Sequence, residues 1–235
     1  MFTVALVGPD GAGKTTVCRE VVRRLPVPAA YVYMGINLEA SNLVLPTTRL
    51  LLEFKRRRGQ RPDMAGPPDP ARRPTPPRRP LGRLVFHLKA WARLANRVAE
   101  EIFRQLVTWS YQVRGHVVVF DRHFFLDYYA HDVDNPDPRR PLVSRVHGRF
   151  LRHLYPKPHV VICLDAPADV LFARKGEGTP ALLERRRQEY LRFREVAANF
   201  HLVDASRPLE EVVAEVLEII VAHHAARRRQ RGWTP

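Results

Sequence analysis

The stretch that most limits what this chain can fold into is its beginning, FTVALVGPDGAGKTTVCREVV. The largely apolar run Phe2 to Val7 reads as a buried strand. A glycine-rich loop follows, and then a helix from about Lys14 to Leu25, stopped by Pro26. Gly8 to Thr15 satisfies G-x-x-x-x-G-K-[ST] in full, and a strand before and a helix after are the context that pattern requires. In such a loop the backbone N–H groups turn inward around phosphate oxygens, and the helix N-terminus adds the positive end of its dipole. The phosphate-binding candidates are therefore Gly8, Gly11, Ala12, Gly13, Lys14, Thr15 and Thr16. Lys14 is placed to reach the β- and γ-phosphates of ATP, and Thr15 to offer its hydroxyl to Mg²⁺.

The rest of the chain repeats the alternation. Ala30–Met34, Val117–Phe120, Val160–Leu164 and Phe200–Val203 are short apolar runs of strand length, separated by segments with helical spacing. Strands apolar on both faces with helices between them predict an α/β protein: a five-stranded parallel sheet with helices on both faces, in the three-layer P-loop NTPase arrangement. Leu84, Leu88, Trp91, Ala95, Val98, Ile102, Trp109 and Val113 recur at steps of three, four or seven, which predicts one long helix with one buried face, Trp91 included. Leu43–Arg57 reads as a helix whose start Pro46 delays. Residues 124–155 read as one or two helices broken by DNPDPRRP. The expectation is a single domain over 1–235, with a flexible insertion at 59–80, a lid at 174–183 and a basic tail at 225–235.

Charge matters because the net is +15, which invites a nucleic-acid partner. Its distribution argues otherwise: Lys55 to Arg83 carries net +8, the four tail arginines carry +4, and +3 remains for everything else. The Arg/Pro-rich run lacks aromatic residues to stack on bases, so it is suited to non-specific, salt-sensitive contact with a phosphate backbone rather than sequence reading. No run is long enough to span a membrane, and the first residues lack a basic leader and cleavage site. Cys18 and Cys163 have neither metal-type nor redox-type spacing and read as buried small hydrophobes, which suits a reducing cytoplasm.

Two further stretches carry chemistry. VVVFDRHFF ends a buried strand in Asp121-Arg122, at the edge of a parallel sheet where ligands bind. Asp121 is a candidate for Mg²⁺ or for accepting a proton from an attacking hydroxyl, and Arg122 for forking onto an acceptor anion. The stretch ARKGEGTPALLERRRQEY places Arg174 and Lys175 in a glycine-containing loop, and Arg185, Arg186 and Arg187 open the next helix. Such cations either close over a triphosphate or form a solvated basic face.

Taken together, GPDGAGKTT, the DRH after the third strand, LDAPADVLFARK and the closing FHLVDASRPLEEV resemble the thymidylate kinases, within the nucleoside monophosphate kinases. The resemblance touches most of the chain outside Gly59–Pro80. It implies transfer of the ATP γ-phosphoryl to dTMP with Mg²⁺, a catalytic lid arginine at Arg174 assisted by Lys175, and Asp10 facing the acceptor sugar. It also implies Asp121 and Arg122 near Mg²⁺ and the acceptor phosphate, Ala205 and Ser206 bordering adenine, and Arg97 or Arg93 on the acceptor. A homodimer through the long helix belongs to the same expectation. Two segments depart from the family pattern: MGINLEASN after the second strand and FFLDYYAHD after Asp121-Arg122. Both lie where the family fixes its acceptor. A kinase for a hydroxyl acceptor, with Asp121 as base, and a nucleic-acid-tethered NTP-binding protein stand as the alternatives. A switch NTPase lacks its Asn-Lys-x-Asp guanine-reading motif here.

Overall fold

The computed structural model describes residues 1–35, 43–59, 77, 79–176 and 178–230. Most of MGINLEASN, most of the Arg/Pro-rich insertion and residues 231–235 thus lie outside the described residues. The chain divides into two compact units, 1–33 with 108–123 and 158–235, and 34–107 with 124–157.

The first unit carries the sheet. Five strands, β1 (Thr3–Val7), β2 (Ala29–Tyr33), β3 (Val117–Asp121), β4 (Val160–Asp165) and β5 (Phe200–Asp204), pair in the order β2-β3-β1-β4-β5. All four pairings are parallel. Every residue of β1 and β3 is buried, the mark of a sheet covered on both faces, and this is why those strands read as unbroken Val/Leu/Phe runs. The core joins Val4, Leu6, Val119, Ile162 and Leu164 to Val17, Cys18 and Val21 of α1 (Lys14–Arg24) and to Val213, Val216 and Ile220 near the C-terminus. Burying each such side chain contributes roughly 1.5–3 kcal/mol.

Helix boundaries follow local chemistry. Thr179 caps α7 (Pro180–Leu191) by accepting from the Leu182 N–H, with Pro180 at the first helical position, where no N–H is needed. The preceding helix, α6 (Ala168–Lys175), ends on Gly176 in the left-handed conformation. Arg174 and Lys175 therefore sit in its last turn rather than in a loop. At its other end α7 gives way to a 3₁₀ turn at Arg192–Glu195. The last helix, α8 (Leu209–Gln230), continues through most of the stretch expected to be a basic tail. No described helix is long and apolar enough to cross a membrane.

The second unit holds α2 (Pro46–Arg57), the residues up to Val107 of α3 (Pro80–Val113), the short α4 (Phe124–Asp127), a π-helical turn at Tyr129–Val133 and α5 (Leu142–His153). The 34 residues of α3 span about 50 Å. Its predicted buried face is a correction. Leu81, Leu84, Leu88, Ile102, Leu106, Trp109 and Val113 are exposed, and Trp91, at 42%, is not core. Glu100, Glu101, Arg104, Gln105 and Thr108 are buried instead. Periodicity located the helix correctly but assigned the wrong face to the interior.

Packing in this unit turns on Gly148 of α5. A Cβ there would stand 1.8 Å from the Asp132 carbonyl oxygen of the π-helical turn, so only glycine lets the two backbones meet. Gly148→Ala should cost about 2–3 kcal/mol, at the upper end for overpacking, and lower the thermal midpoint by several degrees. A melting curve matching that of the wild type would show that α5 can step back from the turn freely.

Candidate phosphate-binding site

The site lies wholly within the first unit and starts from the carboxyl ends of β1 and β3. In their register Leu6 stands beside Asp121, so the glycine loop after β1 and the carboxylate ending β3 reach the same sheet edge. Gly8 turns the chain at φ 143, and a Cβ there would lie 2.3 Å from the Leu164 carbonyl of β4. Lys14, buried, donates to the carbonyls of Gly8 and Pro9 at 2.8 Å each. The ammonium is thereby fixed along the inside of the loop.

Asp121 is fully buried. Its Oδ2 accepts from the Thr15 hydroxyl at 2.5 Å and from the Tyr31 hydroxyl at 3.0 Å. Burial and the Asp121 charge hold the Tyr31 phenol far above its ordinary pKa, so it remains a donor. Asp121 Oδ1 is buried without a hydrogen-bond partner among the described residues. An orphaned carboxylate oxygen next to a threonine hydroxyl fits Mg²⁺, which prefers hard oxygen donors and completes its octahedron with waters and phosphate oxygens. No three His, Cys, Asp or Glu side chains cluster as a metal cage among the described residues. An ion here would thus depend on a bound phosphate for part of its shell.

Around Asp10, at the tip of the loop, the cations gather. Arg122 donates to Asp10 Oδ1 and Arg186 to Asp10 Oδ2, each at 2.7 Å. Burial disfavours the Asp10 carboxylate, yet the charges of Lys14 and Arg122, with Lys175 further off, outweigh it and hold its pKa well below the usual range. Arg122 is the one non-glycine residue at positive φ among those described, at φ 71. That left-handed turn directs its side chain out of the strand end, at a conformational cost of about 1–2 kcal/mol. Arg187 grips Asp165 at the end of β4 with two bonds, at 2.6 and 2.9 Å, and so holds α7 beside the sheet edge.

Arg174 lies elsewhere in the unit. It donates to the carbonyl oxygens of Ala205 and Ser206, at 2.7 and 3.4 Å, rather than to the loop. It thus joins the two segments that the resemblance assigns to the lid and to the adenine border. Thr16 is exposed, and Ala12 is buried with its N–H directed to the Pro9 carbonyl at 3.3 Å. Arg93 and Arg97 belong to the second unit. Arg93 is exposed, whereas Arg97 lies over the Tyr128 ring at 4.6 Å and 3.8 Å from Asp132.

Two contributors were not singled out by sequence reasoning. Tyr31 follows from register, since it lies on the same face of β2 as Tyr33, the residue beside Asp121. Arg186 stood undifferentiated among three successive arginines, and only the helix orientation set by Arg187 separates it.

His123, directly after Arg122, is buried, and burial pushes its pKa down to about 3. The unfolded chain takes up that proton near pH 6.5 and the folded chain does not, so this stability is present above pH 6.5 and is lost as pH falls towards 3. On the order of 2–3 kcal/mol should vanish between pH 6.5 and pH 4.5. Denaturant titrations of wild type and His123→Phe check this: the substituted chain should lose correspondingly less over that interval, and equal losses would remove His123 from the account.

No protein-family model matches the chain and no curated protein matches it significantly, so a functional reading rests on the geometry of these residues.

Proposed function

We propose that the protein is an ATP-dependent phosphotransferase, moving the γ-phosphoryl of ATP to a nucleoside monophosphate, with dTMP the first acceptor to try. The observation that carries this reading is the convergence on one loop of a fixed lysine, a threonine–aspartate pair with a free carboxylate oxygen, and two arginines held on Asp10. In-line transfer between phosphates needs positioning and neutralisation of charge more than covalent chemistry. Bound Mg²⁺ would neutralise β- and γ-phosphate charge. Thr15 and Asp121 would hold it, Lys14 would engage the same oxygens, and Arg122 and Arg186 would turn from Asp10 towards the transferring and accepting phosphates. In this reading Arg174 secures the Ala205–Ser206 loop against the nucleotide base, and Arg186 serves as the lid cation.

ATP consumption measured with Mg²⁺ across nucleoside monophosphates, nucleosides, sugars and oligonucleotides tests the reading. A nucleoside monophosphate should raise consumption strongly, and Lys14→Ala should lower that rate at least about 100-fold. Arg186→Ala should cost about 10–100-fold and more than Arg174→Ala, and the reverse order would return the catalytic role to Arg174. Stimulation by a hydroxyl compound alone, abolished in Asp121→Asn, would favour the kinase with an aspartate base.

The exposed stripe on α3 supports a homodimer as part of the same reading. Leucines, an isoleucine and two tryptophans on one face of a long helix are exposed, and contiguous apolar patches of this kind mark interaction sites. Two copies of one stripe are self-complementary about a twofold axis. Sedimentation should give a dimer, and Leu88→Glu with Leu106→Glu should give a monomer. A wild-type monomer at micromolar concentration would rule the pairing out.

A further inference from the structure

The edge of the sheet away from the glycine loop carries a charge of its own, within the first unit. Helix α8 starts after the carboxyl end of β5 and runs back over the sheet, burying Val212, Val213, Val216 and Ile220. Its 22 residues span about 33 Å, roughly twice the length of a five-residue strand, so its last turns project past the amino ends of the strands. Phe2, just ahead of β1, marks the place. Its ring centroid lies 4.8 Å from that of His223 and 6.2 Å from that of His224, and the Arg227 guanidinium stands 6.0 Å from it. Arg114 joins the same edge, since a Cβ on its neighbour Gly115 would lie 3.8 Å from Met1 Cε. On the β5 side, exposed His201 is near enough for its charge to act on His223, and Arg194 lies over the Phe200 ring at 6.0 Å.

We propose that this edge, built on Arg114, Arg194, His201, His224, Arg228 and Arg229, is a binding surface for the phosphate backbone of a nucleic acid. Segments 192–201 and 221–230 together hold five arginines and three histidines against Glu195 alone. A loose tail would spread such charge through solution, whereas α8 holds it on a fixed frame. Phe2 packs on both histidines, and the pairs His223/Arg227 and His224/Arg228 each stand one turn apart on the helix. Arg228 and Arg229 are exposed, and guanidiniums on such a frame fork readily onto phosphate oxygens. The cations follow an edge rather than enclose a pocket, which suits a strand with a continuous row of charge more than a single anion. Phe2, the ring at the centre, is buried and offers bases no surface to stack on, so recognition is of backbone and not of sequence. An anionic membrane is the poorer fit, because a helix lying among lipid headgroups needs an apolar face. That of α8 is buried in the core, and its exposed larger apolar side chains are Leu209, at the other end, and Val221.

The protonation states agree with this arrangement. Burial, then the charges of Arg227 and His201, disfavour the imidazolium of His223 and lower its pKa. Burial, Arg228 and the amino terminus do the same to His224. The charges acting on both histidines are positive, and a phosphate strand beside Arg227 and Arg228 would offset them and let the histidines take up protons. Binding should therefore strengthen as pH falls through the range in which these histidines titrate.

The test is fluorescence anisotropy of a labelled single-stranded oligodeoxynucleotide of mixed sequence with the full chain. Affinity should fall steeply as salt rises from about 50 to about 200 mM. Arg228→Ala with Arg229→Ala alters two exposed side chains at a helix end. It should weaken binding at least about fivefold and reduce the slope of log affinity on log salt by about 1.4, two phosphate contacts at about 0.7 each. Arg114→Ala with Arg194→Ala, on other elements of the same edge, should do likewise and serves should the first pair disturb α8. Between about pH 7.5 and pH 6 the wild-type affinity should rise by a larger factor than that of His223→Gln with His224→Gln. Unchanged affinity and slope in both arginine pairs would overturn the proposal and leave the charge of 55–83 as what holds the strand. So would an equal pH response in the histidine variant. Tighter binding to phosphatidylserine vesicles would make the surface a membrane contact, and tighter binding to polyglutamate an acidic-protein contact, and either would overturn it too. The proposal does not rest on the phosphotransferase reading, and a chain that binds the strand but transfers no phosphoryl group would leave it standing.

Discussion

The parallel pairing of β1 with β3 is the constraint on which the site depends. Because the strands run the same way, their carboxyl ends finish at one edge, and the register that sets Leu6 beside Asp121 places that carboxylate on the face covered by α1. Thr15, in the first turn of α1, then meets it at 2.5 Å, and Tyr31 reaches it from β2. A slip of one residue would turn Asp121 to the opposite face and separate all three. The register is held by side chains that touch no ligand: Val4, Val119 and Ile162, packed against Val17, Val21 and Val213. The apolar uniformity of those strands therefore serves the chemistry as well as stability.

Electrostatics at the loop is a matter of competition. Asp10 holds two guanidiniums, and its carboxylate stays ionised because Lys14 and Arg122 outweigh the effect of burial. Both guanidiniums are thus kept close to the loop. In the proposed phosphotransferase, a polyphosphate would bring several charges to the same place and outbid one carboxylate. Preorganised cations of this kind require little reorganisation when charge moves in a reaction. The left-handed φ of Arg122 belongs to the same design, a local strain retained where a side chain must leave a strand end at a particular angle.

The sheet, the glycine loop and Asp121-Arg122 were legible because each depends on short-range rules: apolar runs of strand length, glycine spacing, and a polar residue at a strand end. Arg186 was not, since three adjacent arginines look alike until Arg187 binds Asp165 and sets the helix rotation. The long helix shows a different limit. A stripe at steps of three and four indicates that a helix has two unlike faces, but not which face the chain itself covers. Glu100, Glu101, Arg104, Gln105 and Thr108 also recur at helical spacing, and that polar stripe is the one buried. The signal was present as a second period, and the assumption that apolar residues face inward concealed it.

That inversion has a physical consequence. Arg104 is almost wholly buried, donates to Glu100 and to the Gly35 carbonyl, and lies over the Phe124 ring. Glu100 in turn accepts from the Leu45 N–H. Bonds of this kind satisfy buried charge and fix geometry, but they replace the apolar contacts from which a small unit normally gains its stability. A unit whose longest helix turns its polar side inward leaves much of that gain on the outer stripe, where it is realised only when something apolar covers it. The polar interior and the uncovered apolar face are therefore one arrangement: the inside of α3 is given to Glu100, Arg104 and the backbone near Gly35 and Leu45, and the apolar side chains are turned outward.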